Sequence, residues 1–297
     1  MSDSIHEIPQ GLKLFICTCC LPIFIAMTIA GCGGPKKQAL FGFHKKEASL
    51  SKKAKQAYES GHYEKALVLY QEALKASRAV EDINLTAVNL INIAVVYRQM
   101  GEREKAARTI DEILKAPHVQ YPLARLSEAT MVKALLLKDA QDYTQAREMT
   151  DKALKLCRQA KSREEGRIYN LKAKIALLEK DLSGAMTFGQ LGLKMNRERK
   201  DQQETANSLR LIADAKTENA KYTEARLLYE EALGIDKEMG LSKKIALDLI
   251  KLGVLFQKQG HNEEALKYFQ RAYSVSVGGE DEAGIRHASE LIDSLKK

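Results

Sequence analysis

The chain has 297 residues, is 45% hydrophobic and contains five Pro and no Trp. That is material for one large domain or two modest ones, and the prevalence of Ala, Leu, Lys and Glu favours helix, because these residues lose little rotamer freedom there. The formal net charge is +8; residues 1–31 hold Lys13 against Asp3 and Glu7, so the remainder carries +9. Basic residues are interleaved with acids in stretches such as KALVLYQEALK, which reads as a solvated helical face rather than a nucleic-acid surface. Four of the five cysteines, Cys17, Cys19, Cys20 and Cys32, lie near the N-terminus and Cys157 stands alone; this excludes a disulfide-stapled scaffold.

Residues 14–30 read LFICTCCLPIFIAMTIA, uncharged, with Lys13 before them and GCGGPKK after. An apolar run of about 17 residues ending in small ones has the build of an export signal and is marginal for a membrane span. CTCC lies inside that run without a His or second Cys pair at ligand spacing, so it is not a metal site. The tetrad Ile29-Ala30-Gly31-Cys32 resembles the lipobox of bacterial lipoproteins. The resemblance implies a signal peptide over residues 1–31, cut before Cys32, a diacylglycerol on the Cys32 thiol and often an acyl chain such as palmitate on the new amine. Two or three chains hold a protein firmly where one binds only marginally. Gly33, not an aspartate, follows the cysteine, which in that family favours the periplasmic face of the outer membrane. An uncleaved membrane anchor is the alternative, and both tether the same domain outside the cytoplasm. Residues 32–48, with Gly33, Gly34 and Pro35, read as the lipidated cysteine and a tether.

Beyond residue 48 the chain repeats itself. Ala66, Ala106, Ala146, Ala185, Ala225 and Ala265 are spaced by 40, 40, 39, 40 and 40 residues, each within a similar segment such as HYEKALVLYQEAL or KYTEARLLYEEAL. Seven residues later stand Ala73, Ile113, Ala153, Gly192, Ala232 and Ala272, and twelve residues earlier Ala54, Ala94, Ala134, Ala173, Ala213 and Gly253. Aromatics recur at Tyr97 and Phe256 in the first half of a unit and at Tyr70, Tyr229 and Phe269 in the second, with Gly61, Gly101 and Gly260 between the halves.

This pattern resembles the tetratricopeptide repeat, a helix–turn–helix unit whose small columns let helices approach closely. The resemblance implies an all-α, right-handed superhelical solenoid of six repeats over residues 49–277. The period of about 40 exceeds the usual 34, so the helices should be longer. Each unit leaves an apolar face that only a neighbour covers; residues 278–297 supply a C-terminal capping helix, with Ile285, Ala288, Ile292 and Leu295 at helical spacing.

No catalytic constellation is legible. His6, His44, His62, His118, His261 and His287 form no HExxH and no pair three or four residues apart, and GCGGPKK and SVGGED lack the context of a phosphate loop. Cys157, in KALKLC beside Leu154, reads as a buried thiol. No enzyme, cofactor or metal is expected. In the resembling family the first helix of each unit lines a concave groove. That register selects Asn92 and Arg98 from unit two, Arg167, Asn170 and Lys174 from unit four, Asn207 and Arg210 from unit five and Lys251 from unit six. Asn brackets a peptide backbone and Arg grips carboxylates bidentately, so these side chains are expected to face solvent and hold a partner. The combined reading is a lipid-anchored scaffold of the bacterial envelope that binds a protein or peptide of a pilus, secretion, outer-membrane assembly or peptidoglycan-synthesis machine. The alternatives are a binder of anionic envelope polymer or lipid headgroups, drawn by the +9 balance, and an envelope hydrolase.

Overall fold

The computed structural model describes residues 35–295; the expected signal of residues 1–31 and the lipid-bearing Cys32 lie outside the described residues. These residues form thirteen α-helices: α1 (Pro35–Glu59), α2 (Tyr63–Ala79), α3 (Ile83–Gln99), α4 (Arg103–Leu114), α5 (Leu123–Asp139), α6 (Tyr143–Gln159), α7 (Glu165–Leu178), α8 (Leu182–Glu198), α9 (Gln202–Glu218), α10 (Tyr222–Glu238), α11 (Ser242–Lys258), α12 (Asn262–Gly278) and α13 (Glu282–Ser294). They stack as six helical hairpins followed by the single helix α13, an all-α solenoid. None of them is long and apolar enough to cross a membrane.

The small columns explain the stacking. All six anchor alanines, from Ala66 on α2 to Ala265 on α12, are fully buried, as are Ala54, Ala94, Ala134, Ala173 and Ala213 on the first helices. Where that column reads Gly253, a Cβ would lie 2.4 Å from the ring of Phe269. The Phe269 ring occupies that space, whereas Tyr70 and Tyr229 at the equivalent position leave room for Ala54 and Ala213, so glycine is the residue that fits here. Tyr70, Tyr229 and Phe269 are buried, and Phe256 stacks on Tyr268 at 5.3 Å.

The turns show how local chemistry sets the hairpins. Gly61, Gly101 and Gly260 have φ of +83°, +80° and +79°, the left-handed region that glycine reaches freely. The same position holds Gln141, Lys180 and Ala220 at φ +63°, +65° and +55°, where an L side chain costs roughly 1–2 kcal/mol. Reversal bonds such as Asp142 N to Leu137 O (3.0 Å) and Lys221 N to Lys216 O (2.9 Å) hold the chain there. Asp82, Asp142, Asp181 and Asp201 cap the following helices, each accepting from a backbone N–H three residues on.

Two features depart from the sequence reading. Helix α1 starts at Pro35, so most of the stretch expected to be a tether is helical. Proline suits a first helical turn, and Glu47, only 4% exposed, anchors the helix by accepting from Asn89 Nδ2 of α3 at 3.0 Å. Helix α4 has 12 residues where α2 and α6 have 17. Pro117 ends it, since its ring clashes with the carbonyl four residues back, and an irregular segment to Pro122 follows in which Tyr121 packs on the core.

The stack curls strongly. Helix α1, through Ser51, Lys55 and Tyr58, lines the same cavity as Gln203 and Glu204 at the start of α9. A Cβ on Gly61, in the first turn, would lie 3.6 Å from Lys243 Nζ on α11. The first hairpin thus comes round to the sixth, and the concave face becomes a curved groove rather than an open shelf.

Candidate interaction groove

Two adjoining concavities occupy the inner face. The first, of about 960 Å³, is lined by α1, α3, α5 and the beginnings of α7 and α9; the second, of about 460 Å³, lies between α5, α7, α9 and α11. They share Met131, Leu135, Arg167 and Glu204. All eight residues selected from the repeat register line one or both: Asn92 and Arg98 the first, Arg167 both, and Asn170, Lys174, Asn207, Arg210 and Lys251 the second. The column register therefore brings the expected residues to one surface.

Their availability is another matter. Arg210 is 5% exposed; its Nη1 donates to Asp236 Oδ2 (2.5 Å) and Asp248 Oδ1 (2.9 Å), and its Nη2 to Asn207 Oδ1 (2.7 Å). Asp236 and Asp248 are fully buried. Asn170 is 6% exposed, donates to Glu204 Oε2 (2.9 Å) and accepts from Ser208 Oγ (2.6 Å). The expectation that these two side chains face solvent is corrected: both join α7, α9, α10 and α11 inside the wall. A buried guanidinium is held by paired, hydrogen-bonded carboxylates because an uncompensated charge there is prohibitively costly.

Other cations are paired at the surface of the groove. Arg98 Nε bonds Asp139 Oδ2 at 2.5 Å, Arg167 reaches Glu164 (2.6 Å) and Glu204 (3.5 Å), and Lys251 Nζ bonds Asp214 Oδ1 at 2.8 Å. Burial raises the Asp139 carboxyl, but the bonds from Arg98 and Lys138 more than offset it and hold the group below the usual carboxylate range. The groove is thus less basic than the residue types imply.

Lys174 is different. Its ammonium has no hydrogen bond or ion pair within bonding distance among the described residues. Burial pushes its pKa down, Asp214 opposes this, and Lys251 and Lys138 add to it. Around it the floor is apolar, with Leu135, Leu171, Leu211 and Leu247. The second concavity therefore offers aliphatic surface beside a charged donor held among other cations, a setting suited to an acidic group on an otherwise apolar segment. Leu211 and Leu247 were not singled out in the sequence; their position one residue after Arg210 and four before Lys251 was the available signal. Cys157 is fully buried, its thiol pushed up by burial, a state unsuited to nucleophilic chemistry.

Sequence and structure comparisons agree with this architecture. Residues 249–283 match the family model described as tetratricopeptide repeat, and residues 54–118 the one described as anaphase-promoting complex subunit 5. No curated protein sequence matches the chain. The crystal structure of BtubC (BKLC) from P. vanneervenii is similar with a TM-score of 0.57 at 17% identity, over 80% of this chain and 92% of that one. A signal transduction ATPase with a tetratricopeptide repeat sensor from Pyrococcus horikoshii is similar with a TM-score of 0.63 at 17% identity, over 83% of this chain and 37% of that one. For Pseudomonas aeruginosa pilF the TM-score is 0.50 at 15% identity, over 84% and 99%. The chain is an all-helical repeat solenoid similar in fold to tetratricopeptide repeat proteins.

Proposed function

We propose that this protein is a non-enzymatic scaffold, lipid-anchored in the bacterial envelope through Cys32, whose concave groove takes an extended, acidic and partly apolar segment of another protein. The observation that carries the reading is the second concavity, where the unpaired ammonium of Lys174 stands beside Leu171, Leu211 and Leu247. A pre-ordered solenoid surface limits the entropy lost on binding. The anchoring half of the reading rests on Ile29-Ala30-Gly31-Cys32 after an apolar run. An anionic polymer fits less well, because Arg98, Arg167, Arg210 and Lys251 already hold carboxylates of the chain itself.

The test uses a photo-crosslinking residue at Leu211, with the exposed Lys75 on α2 as the control position. A discrete protein adduct from Leu211 that disappears in Lys174→Glu is expected. Equal adducts from both positions would remove the groove assignment. Fatty-acid probe incorporation is expected in the wild type and not in Cys32→Ala; label that persists would remove the anchor assignment.

A further inference from the structure

On the outer face two pairs of successive second helices are joined by an ion pair at the same register. Arg78 near the end of α2 bonds Glu112 of α4 at 2.9 Å, and Arg197 near the end of α8 bonds Glu231 of α10. In both pairs the carboxylate lies 34 residues after the arginine. One repeat further on, the register places Lys237 of α10 opposite Arg271 of α12. Here a cation stands where each of these two pairs has an acid.

The structure shows the consequence. Lys237 and Arg271 are exposed, and neither has a carboxylate partner among the described residues. Arg271 rests on the ring of Tyr268, 5.0 Å away. Both line a slot of about 540 Å³ between α10, α11 and α12, together with the exposed Lys267 and the apolar Ile245, Leu249 and Val275. Two like charges lining one slot repel each other, so a carboxylate from outside would be drawn between them. The slot beneath would bury an aliphatic side chain of the same segment.

We infer that this outer slot is a second docking site, distinct from the concave groove, for an acidic amphipathic segment of a partner protein. The segment sets a carboxylate between Lys237 and Arg271 and an apolar side chain over Ile245, Leu249 and Val275. Charge complementarity selects the acid, and the surrounding face selects a narrow segment over a flat anionic surface. Glu230, Glu231 and Glu238 on α10 and Glu263 and Glu264 on α12 are all exposed. Glu230 and Glu231 are paired with Arg226 and Arg197, but Glu238, Glu263 and Glu264 have no such partner among the described residues, and an anionic bilayer laid across α10 and α12 would meet them, whereas a peptide needs only the slot.

The experiment selects a display library of random twelve-residue peptides on the full chain, and measures the enriched peptides by fluorescence anisotropy. Vesicles of phosphatidylglycerol are tested in parallel. The variants are Arg271→Glu, which recreates the acid of the earlier pairs, Lys237→Glu, and Lys174→Glu in the concave groove. The expected peptides carry Asp or Glu beside Leu, Ile or Phe. Apart from any that the concave groove selects, their affinity should fall at least tenfold in Arg271→Glu and in Lys237→Glu, stay unchanged in Lys174→Glu, and weaken with added salt. The melting temperature of Arg271→Glu should equal or exceed that of wild type, which separates lost docking from lost fold. The inference is overturned if no acidic peptide is enriched, if enriched peptides depend on Lys174 but not on Arg271, or if the vesicles alone bind in an Arg271-dependent way. Loss through Lys174 alone would leave the concave reading standing and remove this one.

Discussion

Arg210 of α9 and Asp248 of α11 meet across 38 residues of sequence, Nη1 to Oδ1 at 2.9 Å, with the Asp248 side chain fully buried. Asp236 of α10 completes the cluster at 2.5 Å, so one guanidinium serves two carboxylates inside the wall of the solenoid. Asp236 Oδ1 has no hydrogen-bond partner of its own. The cluster links three helices of two consecutive hairpins.

The first prediction follows from this burial. Removing Arg210 leaves two acids without a counter-charge, and truncating one partner of a buried ion cluster costs about 3–5 kcal/mol. Arg210→Glu is expected to lower the urea midpoint sharply, whereas Arg167→Glu, at a side chain 45% exposed, should change it little. Equal midpoints for the two variants would mean that Arg210 is not internal.

The second concerns pH. The Asp248 carboxyl is pushed up to about 7, with burial the largest cause, opposed by Arg210 and reinforced by Asp236. The folded chain therefore holds a proton that an unfolded Asp, near 3.9, has released. Stability from this group is complete below about pH 4 and declines as pH rises through 7. Asp139, held low by Arg98 and Lys138 against burial, and Glu218, held low by Lys258, act in the opposite direction and lose their contribution under acid conditions. The urea midpoint should pass through a maximum near pH 5 and fall toward pH 8. Asp248→Asn should flatten the fall above pH 5, and an unchanged slope in that variant would place the titrating group elsewhere.

The third tests the repeat columns. Ala106 and Ala225 are fully buried where helices cross. Ala106→Leu and Ala225→Leu should each destabilise by roughly 1–3 kcal/mol through overpacking. Glu72→Leu, at an exposed position of α2, should shift the thermal midpoint much less. Matching midpoints in all three would mean that the columns are not at the helix crossings.

The fourth separates helix propensity from packing. In a helix interior Gly→Ala is ordinarily favourable by about 1 kcal/mol. At Gly253 the new methyl would lie 2.4 Å from Phe269, so Gly253→Ala should destabilise instead. Phe269→Leu in the same chain should recover part of the loss by making room, a coupling that a double-mutant cycle measures. A stabilising Gly253→Ala would show that the ring yields without strain.

What the amino-acid sequence determined by itself was the period, and through it the fold class. A column of small residues every 40 positions demands close helix approach, and helical periodicity then assigns every other residue to a face. Which helix face lines the groove came from the resemblance to the tetratricopeptide repeat, and all eight residues it selected, from Asn92 to Lys251, line the inner concavities. Only the tertiary structure decided which of them are available. The partners of Arg210 lie 26 and 38 residues away on other helices, and those of Asn170 lie 34 and 38 away. Residue type at one position carries no record of whether the neighbouring repeat brings an acid against it. Local pattern sets a face because it depends on one helix; charge pairing depends on the stacking of several, and becomes definite only when they are assembled.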